Sequence, residues 1–243
     1  MAVIQHILSA KNDQHKLLVW LIDPEKQPAM HTLKQYAQMP DMIFLGGSTG
    51  HAKIEPCITI LRQFTDKPIV LFPGNITQFS PQADALLFLS LLNAKSADML
   101  IEPHKQIAKQ VIQSRIESIP MGYILINGDR QSSVEKVSHV SPISQTDVTT
   151  VVNTALAGQL LGKQLIYLEA GSGAKTPVSI EIIKAVRQHL STPLIVGGGI
   201  TTPQAMLHAF QAGADIVVIG NHFEQYPDEI GDFVRIKQEK YGK

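Results

Sequence analysis

Short apolar runs rich in β-branched residues recur along the chain, and stretches of helical character separate most of them. An apolar run of this kind, bounded by turn residues, is typical of a strand buried on both faces of a parallel sheet. Strands that alternate with helices favour an α/β fold in which helices cover a parallel sheet. We therefore predict a modified (β/α)8 barrel, with a doubly wound open sheet as the alternative. The predicted strands are residues 17–22, 42–45, 69–72, 85–89, 121–126, 165–168, 194–196 and 216–219.

The length of the chain suits the barrel. A (β/α)8 barrel typically has about 250 residues, and this chain has 243, of which 44% are hydrophobic. Residues 1–243 are therefore expected to form a single domain with a substantial core.

The connection between the third and fourth predicted strands is short. Residues 73–84 number 12 and include Pro73, Gly74 and Pro81, whereas a regular crossover helix with its loops needs about a dozen or more residues without such breaks. We expect the third helix to be missing or replaced by a short segment. The neighbouring elements would then leave an apolar groove for a hydrophobic ligand or a partner, unless a loop covers it.

Glycine-bearing turns follow the last two predicted strands. Gly198 and Gly199 end one strand, and Gly220 with Asn221 ends the other. Glycine lets the main chain adopt positive φ and approach a ligand closely, and main-chain N–H groups in such turns bind anions. The loops after strands seven and eight of a (β/α)8 barrel often bind phosphate. These four residues are therefore predicted to bind a phosphate group, and ordinary tight turns are the alternative.

Other predicted strand ends carry residues suited to chemistry, because the active sites of such barrels lie at the carboxyl ends of the strands. Asp23 and Ser48 could supply oxygen ligands to Mg²⁺, or each could simply cap a turn. Glu169 could hold or deprotonate a substrate hydroxyl group, or accept a main-chain hydrogen bond. Residues 171–173 (GSG) would extend the anion site. Three cations stand near these loops and could equally be solvated charges: Lys26, Arg130 and Lys175.

The charge balance and the absence of several motifs narrow the class of protein. The 21 lysines and arginines balance 21 acids, so no global field favours nucleic acid or anionic lipid. Cys57 is the only cysteine, which excludes an intramolecular disulfide and fits a cytoplasmic setting. No signal peptide or transmembrane segment is expected. The sequence has no H-E-x-x-H, G-x-S-x-G, Walker or G-x-G-x-x-G motif, which disfavours zinc-protease, acyl-hydrolase, NTPase and dinucleotide chemistry.

Seven segments form a recognisable series: residues 21–26 (LIDPEK), 46–48 (GGS), 72–75 (FPGN), 91–93 (LLN), 167–174 (YLEAGSGA), 197–200 (GGGI) and 220–221 (GN). In this order they closely resemble the geranylgeranylglyceryl phosphate synthase family over nearly the whole chain. The YLEAGSG stretch is highly specific to that family, whereas GGGI is not.

The resemblance implies a reaction and a set of site residues. The family uses Mg²⁺ to join sn-glycerol 1-phosphate to a polyprenyl diphosphate through an ether bond, and its barrel lacks a regular third helix. Geranylgeranyl diphosphate is the expected donor. Asp23 and Ser48 match the Mg²⁺ ligands. Glu169 is expected to orient the glycerol 3-hydroxyl group, and whether it also takes the proton stays open. The residues that match the glycerol-phosphate site are Tyr167, Leu168, Glu169, Ala170, Gly171, Ser172, Gly173, Gly198, Gly199, Gly220 and Asn221.

Two positions depart from the family pattern, and two rival functions stay open. Leu21 stands where some relatives have a lysine, so no glycerol-phosphate contact is carried over there. Met99 stands where many have a bulky aromatic residue, so the preferred tail length is not fixed. The apolar flank favours a homo-oligomer and a transient contact with a membrane surface. The rivals are a phosphate-binding barrel enzyme that acts on a sugar phosphate, and a flavin- or phosphate-binding barrel without transferase activity.

Overall fold

A computed structural model describes residues 2–47, 53–75, 77–96, 100–138 and 140–242. Within these ranges eight parallel strands close into a barrel, in which each strand pairs with the next and the last pairs with the first. The closed ring confirms the predicted barrel and excludes the open doubly wound sheet. The strands are β1 (Leu17–Ile22), β2 (Met42–Leu45), β3 (Ile69–Leu71), β4 (Ala85–Leu91), β5 (Glu117–Leu125), β6 (Leu165–Glu169), β7 (Leu194–Gly197) and β8 (Ile216–Ile219).

Helices cover the outside of the barrel and one of its ends. They are α1 (Val3–Asn12), α2 (Met30–Tyr36), α3 (Ile54–Leu61), α4 (Glu102–Ser114), α5 (Ser133–Ser138), α6 (Val148–Leu160), α7 (Ile180–His189), α8 (Pro203–Ala212), α9 (Asn221–Gln225) and α10 (Ile230–Tyr241). The starts of α6, α7 and α8 are fixed by Asp147, Ser179 and Thr202, whose side chains accept main-chain hydrogen bonds. The sequence did not predict α1, α5 or α9. In the described ranges no helix combines the length and the hydrophobicity that crossing a membrane requires.

Side chains alternate along each strand between the barrel interior and the layer beneath the helices, as the two-residue period of a strand requires. On β6, Leu165 and Tyr167 pack in the interior, whereas Ile166 and Leu168 pack in the outer layer. Glu169 follows Tyr167 by two residues and therefore faces the interior at the carboxyl end of the barrel.

Helix α1 closes the amino-terminal end of the barrel. Val3, Ile7 and Ala10 pack with the interior-facing strand residues. The helix has no side-chain cap of its own. Instead, the main-chain N–H groups of Val3 and Ile4 donate to the two carboxylate oxygens of Glu117, at 2.6 and 2.9 Å. The same carboxylate complements the positive end of the helix dipole. The barrel thus has a sealed floor and opens at the other end.

The Glu117→Ala variant should lose about 1–2 kcal/mol of unfolding free energy, because two main-chain donors lose their acceptor and the dipole loses its counter-charge. Urea denaturation of wild type and variant measures the difference. Glu102→Ala is the matched control, since the Glu102 side chain is 41% exposed and pairs only with Lys105 at 2.8 Å among the described ion pairs, and it should cost about 0.5 kcal/mol or less. An equal loss in both variants would show that the Glu117 cap adds nothing special.

The connection between β3 and β4 runs over the outer face of the barrel. Its described residues, 72–75 and 77–84, form turns and bends with no assigned helix, and Phe79 and Ala83 pack into the outer apolar layer. Residue 76 lies outside the described part, so the missing or shortened third helix stays a prediction.

Candidate active site

A cavity of about 550 Å³ opens at the carboxyl ends of the strands. It brings together residues that follow five different strands: Asp23 after β1, Gly47 after β2, Glu169 at the end of β6, Gly198 after β7 and Asn221 after β8. Predicted site residues that are far apart in sequence therefore share one site, at the end of the barrel where such sites are found.

The turn after β7 packs directly on the loop after β6. Gly198 and Gly199 have φ of +81° and +71°, a region that L side chains rarely adopt. A Cβ on Gly198 would collide with the Glu169 carboxylate and lie 2.7 Å from the main-chain nitrogen of Gly171. Only glycine allows the two segments to approach this closely.

A side-chain hydrogen bond connects the loop after β6 to α9. The Ser172 hydroxyl lies 2.9 Å from Asn221 Oδ1 and donates to it. A Cβ built on Gly173 would lie 3.5 Å from Asn221 Nδ2, so the amide nitrogen of Asn221 lies close to Gly173. We call Ser172, Gly173, Gly198, Gly199, Gly220 and Asn221, all of which line the cavity, the glycine corner.

Three of the residues predicted to bind substrate lie behind this surface. Leu168 and Ala170 pack in the outer apolar layer. The Ala170 N–H donates to Gly197 O at 3.0 Å, and the Gly171 N–H donates to Glu169 Oε1 at 2.7 Å. Both amides therefore already have partners within the chain, and a direct role for Leu168, Ala170 and Gly171 in binding substrate stays a prediction.

Glu169 is a buried carboxyl group at the wall of the cavity, with 6% of the residue exposed. Burial raises its pKa from 4.5 to about 7, and hydrogen bonds from Tyr167 and Gly171 offset part of that rise. A carboxyl group that titrates near neutrality can exchange a proton with a bound hydroxyl group.

Aromatic rings form the interior surface beneath Glu169. The Tyr167 ring stacks on Phe72 with centroids 5.6 Å apart and meets Tyr123 edge-on at 5.3 Å. Burial raises the pKa of both tyrosines well above 10, so their hydroxyl groups remain protonated donors. Tyr167, which was predicted from the sequence, thus contacts Glu169 and lines the cavity.

Asp23 both caps a turn and lines the cavity. Its Oδ1 accepts from Glu25 N at 3.0 Å, which is the structural alternative considered for this residue. Its Oδ2 lies 3.9 Å from Lys26 Nζ, and Lys26 Nζ lies 3.3 Å from Glu224 Oε2. Burial raises the pKa of Glu224, and the neighbouring Lys26 counteracts that rise.

The donor set fits Mg²⁺ only with help from substrate and water. No group of three or more His, Cys, Asp or Glu side chains within the described ranges could hold a metal ion. Mg²⁺, however, is often bound by one or two carboxylates together with waters and substrate phosphates. Asp23 lines the cavity, and it suits that role because the turn cap engages its Oδ1 and not its Oδ2. Ser48, the second predicted ligand, lies outside the described residues.

The cavity continues as an apolar groove on the outer side of β4. Leu86 and Phe88 form one wall, and Pro103 and Ile107 of α4 form the other. His104 contacts the Phe88 ring edge-on with centroids 4.3 Å apart. The groove lies beside the β3–β4 connection, where the sequence predicts an apolar flank. Met99, which bears on tail length, lies outside the described residues.

Gln78 and Glu224 are polar cavity residues that sequence reasoning missed. Gln78 is 1% exposed, and its Oε1 accepts from the main-chain nitrogens of Gly47 at 3.3 Å and Gly74 at 2.9 Å. It thereby joins the loops after β2 and β3. A glutamine within an irregular connection gives no periodic or motif signal. Glu224 would have been found if α9 had been predicted.

The chain matches the PcrB family over residues 10–237. The geranylgeranylglyceryl phosphate synthase of Flavobacterium johnsoniae is 45% identical over 225 residues, which cover 90% of this chain and 93% of that protein. The synthase of the same name from Zunongwangia profunda is 43% identical over 226 residues, which cover 91% and 97%.

Solved structures give the same likeness. The crystal structure of (S)-3-O-geranylgeranylglyceryl phosphate synthase from Thermoplasma acidophilum, in complex with substrate sn-glycerol-1-phosphate, matches with a TM-score of 0.90 and 33% identity. The match covers 98% of this chain and 99% of that one. A thiamine phosphate pyrophosphorylase from Pyrococcus furiosus matches with a TM-score of 0.55 at 13% identity, which shows a likeness of fold alone.

Proposed function

Because the chain belongs to the PcrB family, and its curated relatives are geranylgeranylglyceryl phosphate synthases, we propose that it is a prenyltransferase that joins sn-glycerol 1-phosphate to a polyprenyl diphosphate. One observation carries the proposal: a single cavity connects the glycine corner to an apolar groove, with Asp23 and Glu169 on its walls. This arrangement suits a small phosphate ester bound in the glycine corner and a long hydrocarbon bound in the groove, with the reaction taking place between Asp23 and Glu169. A sugar-phosphate enzyme would have no use for the groove.

The phosphate of sn-glycerol 1-phosphate would bind in the glycine corner. Main-chain N–H groups of the turns after β7 and β8, with the Asn221 side chain, would supply uncharged donors to its oxygens. The Thermoplasma acidophilum synthase, which matches over nearly its whole length, is solved with this substrate, and that supports the assignment.

Glu169 would act on the glycerol 3-hydroxyl group. In its ionised form the carboxylate accepts a hydrogen bond from the hydroxyl group, orients it, and takes its proton as the oxygen attacks carbon 1 of the prenyl chain. The new C–O ether bond forms as the bond from carbon 1 to the diphosphate breaks, and the electron pair of that bond leaves with the diphosphate. At the end of the step the products are the ether and diphosphate, and the proton is on Glu169.

Asp23 and Ser48 would hold Mg²⁺, which supplies Lewis-acid neutralisation of charge on the departing diphosphate. Lys26, 3.9 Å from Asp23 Oδ2, would add a positive charge on the same side. The main-chain N–H groups of Gly47 and Gly74 donate hydrogen bonds to Gln78 Oε1, which keeps this part of the cavity wall fixed.

The apolar groove would hold the isoprenoid tail and exclude water from it. Each buried CH₂ contributes about 0.8 kcal/mol at most, so a long chain that fills the groove binds more tightly than a short one, and we expect geranylgeranyl diphosphate as the donor. We expect a cytoplasmic enzyme. Because such a donor is amphiphilic, we also expect the enzyme to contact the membrane surface transiently. The exposed groove also favours a homo-oligomer.

The test is direct synthesis of the ether. The protein is mixed with sn-glycerol 1-phosphate and radiolabelled prenyl diphosphates of several lengths, with Mg²⁺ or with EDTA. We expect an organic-extractable ether and one diphosphate per product with Mg²⁺, and little product in EDTA. Absence of ether product at every chain length contradicts the proposal. Turnover of a soluble phosphosugar in EDTA, or a yellow protein as purified, would support one of the rivals.

A further inference from the structure

The cavity offers a phosphate dianion many donors but little positive charge. Its described lining residues include three acids, Asp23, Glu169 and Glu224, and one lysine, Lys26. Lys26 lies between Asp23 and Glu224, so its charge is already partly balanced. A phosphate monoester carries a charge of roughly −1.5 to −2 at neutral pH. The described lining also contains two histidines, and a cation outside this set would add positive charge at the glycine corner.

Arg130 supplies a cation at that corner. Its Nη1 lies 3.5 Å from Gly173 O. A Cβ on Gly173 would lie 3.4 Å from Arg130 Nη1 and 3.5 Å from Asn221 Nδ2. The guanidinium group and the Asn221 amide therefore converge on one glycine from two different loops. A side chain at Gly173 would fill the space between them.

The guanidinium group has donors to spare. Arg130 is exposed, and it takes part in none of the ion pairs found between described residues. Its single hydrogen bond to a described residue is the long one to Gly173 O. The remaining N–H groups of the planar fork can reach a phosphate without breaking a salt bridge.

The loop that carries Arg130 is tied to the loop after β6. Gly128 O accepts from the main-chain nitrogens of Lys175 at 2.9 Å and Thr176 at 3.2 Å. The Thr176 hydroxyl donates to Asp129 Oδ2 at 2.6 Å, and Asp129 has φ of +57°. These bonds hold Arg130 next to Gly173 before any ligand binds, which lowers the entropy cost of ordering it.

We propose that the Arg130 guanidinium binds the phosphate group of sn-glycerol 1-phosphate and covers the glycine corner from the solvent side. The inference rests on the proposed function and adds to it a specific binding residue. The guanidinium turns from Gly173 O to the phosphate oxygens and makes charge-assisted hydrogen bonds there, while Asn221 and the glycine turns bind from the opposite side. No bond is made or broken in this role.

Equilibrium binding of sn-glycerol 1-phosphate to wild type, Arg130→Gln and Arg130→Lys tests the proposal. We expect Kd to rise roughly ten-fold or more in Arg130→Gln, since a charge-assisted contact is lost. Arg130→Lys should recover part of that loss, because it restores the charge but not the fork. KM for the prenyl diphosphate should stay unchanged, and so should Tm, since the side chain is exposed. In wild type, Kd should also rise more steeply with salt than in Arg130→Gln.

Lys175→Gln is the matched control. Lys175 is an exposed cation on the neighbouring loop, and its replacement removes the same charge from the same rim. A rise in Kd equal to that of Arg130→Gln would mean that only the general field matters, which overturns the proposal. An unchanged Kd in Arg130→Gln would overturn it too.

Binding of inorganic phosphate distinguishes a failure of the proposed substrate from a failure of the role assigned to Arg130. If wild type binds inorganic phosphate through Arg130 but does not bind sn-glycerol 1-phosphate, the proposed substrate is wrong and the anion site stands. If wild type binds neither, both fail. If it binds sn-glycerol 1-phosphate regardless of residue 130, the proposed function stands and the Arg130 inference fails.

Discussion

The Glu169→Gln variant is expected to lose roughly two to four orders of magnitude in turnover, the usual contribution of a positioned general base. Glutamine keeps an amide oxygen where Glu169 Oε1 accepts from Gly171 N, so the loop after β6 should keep its conformation. The amide nitrogen of the variant can still donate a hydrogen bond to the substrate hydroxyl oxygen, but the side chain cannot take the proton. Steady-state kinetics with saturating donor measures the loss, and binding of sn-glycerol 1-phosphate should change little.

The pH dependence gives an independent measure of the same group. The pKa of Glu169 is raised from 4.5 to about 7 by burial, so the carboxylate is the minor form below pH 7 and the major form above it. In wild type, kcat/KM should therefore fall as pH drops through about 7, to about a tenth of its plateau one unit lower. This limb should be missing from the Glu169→Gln profile.

An exposed acid on α7 provides the control, since Glu181→Gln should leave both turnover and the pH profile unchanged. Full turnover in Glu169→Gln would end the catalytic role. A large loss of turnover with the wild-type pH limb still present would show that Glu169 orients the hydroxyl group while another group takes the proton.

The Asp23→Asn variant is expected to lose roughly a hundred-fold or more in turnover, the scale of one preorganised electrostatic group. The substitution separates the two roles of the residue. Asparagine is as good a cap as aspartate, so the hydrogen bond from Glu25 N and the stability of the turn should survive. The anionic oxygen that would meet Mg²⁺ is lost. Turnover measured against Mg²⁺ concentration should therefore shift to higher metal as well as to a lower maximum.

Glu25→Gln tests whether charge alone explains the effect, because it removes one negative charge from an exposed position of the same turn. Its turnover and metal dependence should stay within about two-fold of wild type. Unchanged turnover in Asp23→Asn would reduce the aspartate to a turn cap and remove the proposed metal site.

Local sequence patterns predicted the barrel and many of the site residues at the carboxyl ends of its strands. The strands could be recognised because buried parallel strands are short apolar runs, and Gly198 and Gly199 because positive φ and close approach demand glycine. Leu168 belongs to the predicted substrate-binding set because the motif is continuous. The two-residue period of a strand directs its side chain to the outer layer, since Tyr167 and Glu169 on either side face inward.

Contacts between distant segments could not be predicted. Glu117 caps a helix 114 positions earlier, and a helix without its own cap carries no start signal. Gln78 joins two loops through its side chain, and Arg130 reaches Gly173 only because the loops after β5 and β6 are tied together. A single sequence contains no information on which loops meet, apart from the barrel topology that places their ends on one rim.

Because α1 closes the amino-terminal end of the barrel, a long ligand cannot pass along the barrel axis. A long ligand must leave sideways between β4 and α4, so the space for its far end is bounded by the outer face of one strand and by a helix, and not by the interior of the ring. Changing the length of this groove would require repacking of α4 against β4. Such a change can leave the hydrogen-bonded pairing of the eight strands intact.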